Sequence, residues 1–256
     1  MDHEPRPGEP AQPSPSPGLV TGSAQAAHWG FLGFFVGLGG YHLLTLVLTA
    51  VLSGRLSGFD AAEPPALGPL LLLAFLPNVL LGLGPAVLSW WRGRGPRRDF
   101  GVLPNWRDIR VGLASGGFSL LAAWALGVVL FQVHGGSTRE STPLDSLSAL
   151  ADEQTVWLAA AALFLLLGAP LTEELLVRGA LWGALEHYRI PRSVVLALTS
   201  LIFAFLHEES WRTLSLFAQG IAIGWARMVT GRIGASIVAH AANNLVPALD
   251  VYLSGG

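Results

Sequence analysis

The sequence predicts an all-α fold, a polytopic bundle of about seven transmembrane helices, within limits of six to eight. Three observations carry that prediction. Of 256 residues, 52% are hydrophobic and 12% charged, with a mean hydropathy of +0.52, whereas a soluble domain carries about a quarter charged residues. Windows of roughly 20 mostly apolar residues, the length that crosses a hydrocarbon core, recur along the chain. Most of the arginines gather in the short connections between those windows.

Residues 1–28 come first, rich in Pro, Gly, Ser and Ala with both charge signs. They hold no apolar block to offset the entropy of ordering, so a disordered tail is expected. A signal peptide is not, since no basic segment leads directly into an apolar one. The windows 29–53, 66–91 and 111–133 follow as three spans, a membrane region over 29–133. After a polar loop at 134–154 the chain turns apolar again from Val156 to Leu171. The stretch "GAPLTEELLVRGAL" at 168–181 and apolar runs at 193–207, 211–229 and 232–253 complete a four-helix membrane core over 155–253. The glycines of "GFFVGLGG" at 33–40 follow no strand and have no acidic partner, so close helix packing is expected there rather than phosphate binding.

Composition also excludes function classes. A net charge of -2 offers no basic surface for nucleic acid. The absence of cysteine removes disulfides, thiolate zinc sites and a cysteine nucleophile. Every basic residue is Arg, a bias that suggests a GC-rich bacterium and hence a bacterial plasma membrane. Nothing in the sequence indicates an oligomeric state.

Arginines in short loops orient the spans. The loop 92–110 holds Arg92, Arg94, Arg97, Arg98, Arg107 and Arg110, whereas 134–154 holds one Arg among several acids. The first is expected to be cytoplasmic, the second external. Arg189 and Arg192 flank one turn, Arg227 and Arg232 another, and both turns are expected on the cytoplasmic side. The N-terminus is then cytoplasmic, and 155–190 crosses once as a single long helix kinked at Pro170. At 1.5 Å per residue such a helix runs to roughly 50 Å, so it must tilt or protrude.

Ionisable groups at membrane depth cost about 2.5–3.5 kcal/mol at a helix centre and usually have partners and a function. In the C-terminal half these are Glu173, Glu174, Arg178, His207 and His240, with Asn244 beside them and Asn243 next to it. Glu173 lies 17 residues before Ile190 and His207 lies 17 after it, so both sit about 25 Å from that turn. The same count from Gly231 puts His240 and Asn244 at about 14 and 20 Å, within reach of a shared cavity. Glu174 and Arg178 are i and i+4, the favourable order for an ion pair, which leaves Glu173, about 100° around the helix, free to face elsewhere. Phe203 and His207 share that spacing, as do His240 and Asn244. Taken singly, each pair has an ordinary reading as a solvated face, an interfacial histidine or interhelical glue. His42, Asn78 and His134 are read as structural, and Trp90, Trp91 and Trp106 as an interfacial belt.

"EELLVR" at 173–178, "FAFLH" at 203–207 and "HAANN" at 240–244 together resemble the motifs of the CPBP family of intramembrane proteases, the CAAX proteases and bacteriocin-processing proteins, also called Abi or Rce1-like. The resemblance covers roughly 155–250. It implies an intramembrane endopeptidase in which Glu173 is the general base, His207 helps it hold and deprotonate water, and His240 and Asn244 form the oxyanion hole. Glu174, Arg178 and Phe203 support the site. No cofactor is implied on that reading. The substrate is a peptide or membrane protein within the lipid bilayer, not nucleic acid. Two alternatives stand beside it. One is a zinc metalloprotease of the CAAX prenyl protease type using Glu173, His207 and His240, although no His-Glu-x-x-His is present. The other is a non-proteolytic immunity or scaffold protein, or a small transporter.

Overall fold

A computed structural model describes residues 28–56, 67–133 and 155–253. The expected tail, apart from His28, and the expected external loop at 134–154 lie outside the described residues. Every regular element among the described residues is a helix. In order they are α1 (Gly30–Leu56), α2 (Leu67–Arg92), the single turn α3 (Pro96–Asp99), α4 (Trp106–Val133), a long α5 over 155–187, α6 (Arg192–Leu206), α7 (Thr213–Thr230) and α8 (Ile233–Leu253).

Three helical stretches are long and apolar enough to cross a bilayer by length and composition: Gly30–Val51, Trp106–Val133 and Val156–His187. Their outward faces carry Leu43, Leu46, Phe118 and Phe131, each more than 60% exposed. In water such a continuous apolar surface drives association, whereas lipid tails are its ordinary solvent. The protein is an integral membrane helix bundle.

α5 is its central post. From Glu174 to Trp182 every side chain is buried. Leu176, Val177, Leu181 and Trp182 pack with Phe34 of α1, Leu81 of α2, Val195 and Phe203 of α6 and Leu216 of α7. A helix apolar on all sides belongs in a core. The single long helix expected from the topology is present, but its geometry is mixed: Phe164–Gly168 and Leu175–Leu181 are π-helical. In the first, the Ala169 N–H donates five residues back, to the Phe164 carbonyl. Where a proline kink was expected, the irregularity is this π stretch, which ends at Gly168, two residues before Pro170.

The remaining helices approach through small residues. A Cβ on Gly84 of α2 would lie 2.6 Å from the Gly37 nitrogen of α1, so within "GFFVGLGG" Gly33, Gly37 and Gly40 serve packing and Gly39 does not. A Cβ on Gly112 or Gly116 of α4 would lie 2.7 Å from the carbonyl oxygens of Ala235 or Ala239 on α8.

The arginine-rich segment 92–110 is an ordered pad. The Asn105 and Asp108 side chains each accept from the other's backbone N–H at 2.9 Å, a reciprocal cap that starts α4. Arg232 donates to Asp108 at 2.9 Å, and the first free N–H groups of α8, on Ile233 and Gly234, donate to the carbonyls of Phe100 and Gly101. Arg227 departs from its expected role as a loop charge. It is buried, with Nε donating to the Arg178 carbonyl at 3.3 Å, so it belongs to the interior rather than to the charge balance of its turn.

Candidate active site

Neighbouring glutamates on α5 meet opposite environments because successive helical residues point about 100° apart. Glu174 turns inward and is fully buried. Its Oε1 accepts from Arg178 Nη1 at 2.9 Å and from His240 Nδ1 of α8 at 3.1 Å. Arg178 is also fully buried; its Nη2 donates to the Gly220 carbonyl of α7 at 2.9 Å, and its guanidinium lies 4.6 Å from the Phe203 ring centre of α6. One ion pair thus ties α5 to three other helices. Desolvated charges persist only with such partners.

Glu173 turns the other way, with its side chain 20% exposed against 0% for Glu174. Its Oε2 lies 3.9 Å from His207 Nε2 and 3.9 Å from His240 Nε2. Those distances are too long for direct hydrogen bonds and suit a bridging water.

The backbone orients both imidazoles. α6 ends at Leu206, His207 caps it, and Glu208 turns the chain away with a φ of 54°. His207 Nδ1 then donates to the Phe203 carbonyl at 2.8 Å, one of the carbonyls a helix end leaves unpaired. That bond assigns the proton to Nδ1 and leaves Nε2 toward Glu173. The four-residue spacing also brings the rings of Phe203 and His207 together, tilted at 59° with centres 4.5 Å apart, and Phe203 meets His240 edge-on at 5.4 Å. His240 Nδ1 is committed to Glu174 in the same way, so its Nε2 also points at Glu173.

Asn244, one turn beyond His240, donates from Nδ2 to the Leu165 carbonyl of α5 at 3.0 Å. Counting residues put Asn244 nearer the cytoplasmic turn than Glu173, yet the structure sets it against a carbonyl eight residues nearer the start of α5. The π stretch Leu175–Leu181 between Glu173 and the turn shortens α5 only slightly; most of the difference comes from tilt and sliding between α5 and α8, which a count along each helix does not include. Asn243 sits in a separate polar row, in which its amide accepts from Ser119 at 2.8 Å and donates to Gln219 at 2.9 Å, and Gln219 donates to Ser215 at 3.1 Å.

Glu173, His207, His240 and Asn244 all line one cavity of about 1040 Å³, whose other walls include Phe75 and Trp124. A smaller cavity of about 70 Å³ reaches Glu173 from the α1 side past Tyr41, His42 and Asn78. Asn78 lines both. Read from the sequence as structural, His42 and Asn78 stand beside the candidate base; His134 lies outside the described residues. The signal that would have found Asn78 is the one that found Asn244, a carboxamide within an apolar span.

Residues 155–246 match a family model described as type II CAAX prenyl endopeptidase Rce1-like. Over that segment the chain is similar to the Rce1-like family. No curated protein and no solved structure matches the chain. The Rce1-like segment begins with α5 and takes in every residue of the three motifs, whereas Tyr41, His42 and Asn78 come from helices outside it. By its description this family is one of CAAX prenyl endopeptidases, and the match supports a protease that acts on a peptide or protein. Among the described residues, no group of three His, Asp or Glu side chains is arranged to hold a metal ion.

Proposed function

We propose that the protein is a glutamate-dependent intramembrane endopeptidase that hydrolyses peptide bonds of membrane-associated proteins or peptides. The observation that carries this reading is the position of Glu173, half-open to a cavity and equidistant from two imidazole nitrogens, while its neighbour Glu174 is spent on an ion pair. Glu173 takes a proton from a water held between it and His207 Nε2. The water oxygen bonds to the scissile carbonyl carbon, and the carbonyl electron pair moves onto oxygen. Asn244 and His240 donate to that oxyanion. With Nδ1 engaged by Glu174, His240 can donate from Nε2 only as imidazolium, and Glu174 supplies the counter-charge. The C–N bond then breaks as Glu173 returns its proton to the leaving nitrogen. Positioned acid–base groups of this kind supply about 10²–10⁴-fold and an oxyanion donor about 10²–10³-fold.

The topology that suits this chemistry has seven spans with a cytoplasmic N-terminus, supported by six exposed arginines of segment 92–110. α6 holds 15 residues, about 22 Å of rise, so His207 at its end stops short of crossing a hydrocarbon core about 30 Å thick. Water and peptide then meet Glu173 in a recess below the external surface, and the apolar walls of the cavity receive the hydrophobic part of the substrate.

The test compares membrane proteomes of cells carrying the parent chain and Glu173→Gln. New membrane-proximal termini are expected with the parent only; their appearance with both variants overturns the base assignment. Cleavage that survives EDTA in purified protein supports the metal-free mechanism, and its loss with EDTA supports the zinc one. An immunity or scaffold role predicts instead that Glu173→Gln retains full function.

A further inference from the structure

The feature that anchors Asn244 is a missing donor. In the stretch Phe164–Gly168 bonds run five residues, as the Ala169 N–H to the Phe164 carbonyl shows. The next carbonyl in that register, Leu165, calls for an N–H at residue 170. Residue 170 is proline, which has none. The Leu165 carbonyl is partly buried in the cavity wall, where a carbonyl left without a donor is costly, and the donor it receives is Asn244 Nδ2 at 3.0 Å. We infer that Pro170 is a positioning residue for Asn244: by withholding an N–H it reserves the Leu165 carbonyl to hold the Asn244 amide at the rim of the cavity. One amide hydrogen goes to Leu165, the other remains for a ligand, and the amide oxygen is held by Asn243 Nδ2 at 3.4 Å. The catalytic consequence rests on the oxyanion reading of Asn244; the exchange of hydrogen-bond partners does not.

Thermal unfolding of four purified full-length chains tests the exchange without any substrate: parent, Asn244→Ala, Pro170→Ala and the double variant. In the parent background Asn244→Ala strands the Leu165 carbonyl, and a Tm loss of about 2–4 °C is expected for one partly buried hydrogen bond. In the Pro170→Ala background the new N–H serves Leu165, and Asn244→Ala is expected to cost nothing further. Equal losses in both backgrounds overturn the inference. Turnover of a pool of quenched fluorescent peptides with apolar tails gives the catalytic arm. Pro170→Ala is expected to lower kcat with KM unchanged, and to have no effect once Asn244 is Ala. If Asn244→Ala leaves turnover intact while the unfolding cycle shows the exchange, the oxyanion reading fails and the positioning stands.

An independent observation lies at the opposite end of the bundle. Arg94, Arg97, Arg98 and Arg232 line a cleft of about 990 Å³ with Trp90 and Leu103, sharing no residue with the catalytic cavity. Asp99 and Asp108 engage Arg94 and Arg232 but do not line the cleft, and Arg97 and Arg98 are exposed. Trp90 and Trp91, 77% and 70% exposed, flank this charge, and aromatic rings beside clustered arginines are the chemistry of an anionic headgroup layer. The geometry points to a binding site for the phosphate of an anionic phospholipid. Nanodiscs of phosphatidylcholine with and without phosphatidylglycerol test it. Phosphatidylglycerol is expected to raise Tm, and the Arg97→Gln/Arg98→Gln variant is expected to lose that rise. A rise that persists in the variant overturns the site, and an equal rise from inorganic phosphate in pure phosphatidylcholine overturns the lipid as its occupant.

Discussion

α1, α2 and the α4–α8 seam are held differently from the junction of α5, α6, α7 and α8. At the first, backbones touch: Gly33, Gly37 and Gly84 bring α1 and α2 together, and Gly112 and Gly116 let α4 lie on Ala235 and Ala239. At the second, a buried Glu174–Arg178 pair reaches His240, Gly220 and Phe203. Both arrangements hold helices in lipid, where apolar burial gives no preference for protein over lipid tails. The α4–α8 seam buries one charge, Asp108, against the partly exposed Arg232; the second junction buries both members of its pair, and beside it stands Glu173, whose charge is not consumed by the pair. Small residues are enough for architecture. The polar junction is where the protein accepts a desolvation cost, and the hydrogen bonds of the pair offset it.

That contrast can be broken in graded steps. Glu173→Gln is expected to reduce peptide cleavage by about 10²–10⁴-fold while leaving the thermal unfolding midpoint unchanged, because the group serves chemistry and holds no helix. Arg178→Met leaves Glu174 buried without its cation and is expected to destabilise by about 3–5 kcal/mol in detergent unfolding, with Glu174→Gln/Arg178→Met recovering part of the loss. Asn244→Ala is expected to lower kcat by about 10²–10³-fold. On the glycine side, Gly84→Leu forces side-chain atoms into the α1 backbone, with an expected cost of about 1–3 kcal/mol and retained chemistry in the protein that still folds. Gly39 has nothing within 4 Å of its would-be Cβ; Gly39→Ala is expected to stabilise by about 0.5–1 kcal/mol through helix propensity alone. A large stability loss at Glu173, or none at Arg178, would erase the distinction between the two kinds of junction.

Pairs within one helix were legible from spacing alone. Glu174 with Arg178, Phe203 with His207, and His240 with Asn244 each follow from a four-residue interval, since 3.6 residues per turn fix that geometry wherever the helix sits. The single long α5 was legible too, from arginine placement and the parity of crossings. Contacts across helices were not. That His240 bonds to Glu174, that Asn244 takes the Leu165 carbonyl, that Arg227 turns inward to Arg178, and that His42 and Asn78 approach Glu173 all depend on rotation and sliding between helices. The π stretches of α5 shorten it only slightly, and no count along a single helix includes its tilt and sliding against another.

The amino-acid sequence by itself determined the membrane class, the helical composition and the short list of polar residues, because transfer of side chains into lipid and helical periodicity are local properties. Tertiary structure alone decided what Glu173 faces and which other helices the Glu174–Arg178 pair reaches, because that depends on which neighbouring helix brings His207, His240 or the Gly220 carbonyl within reach.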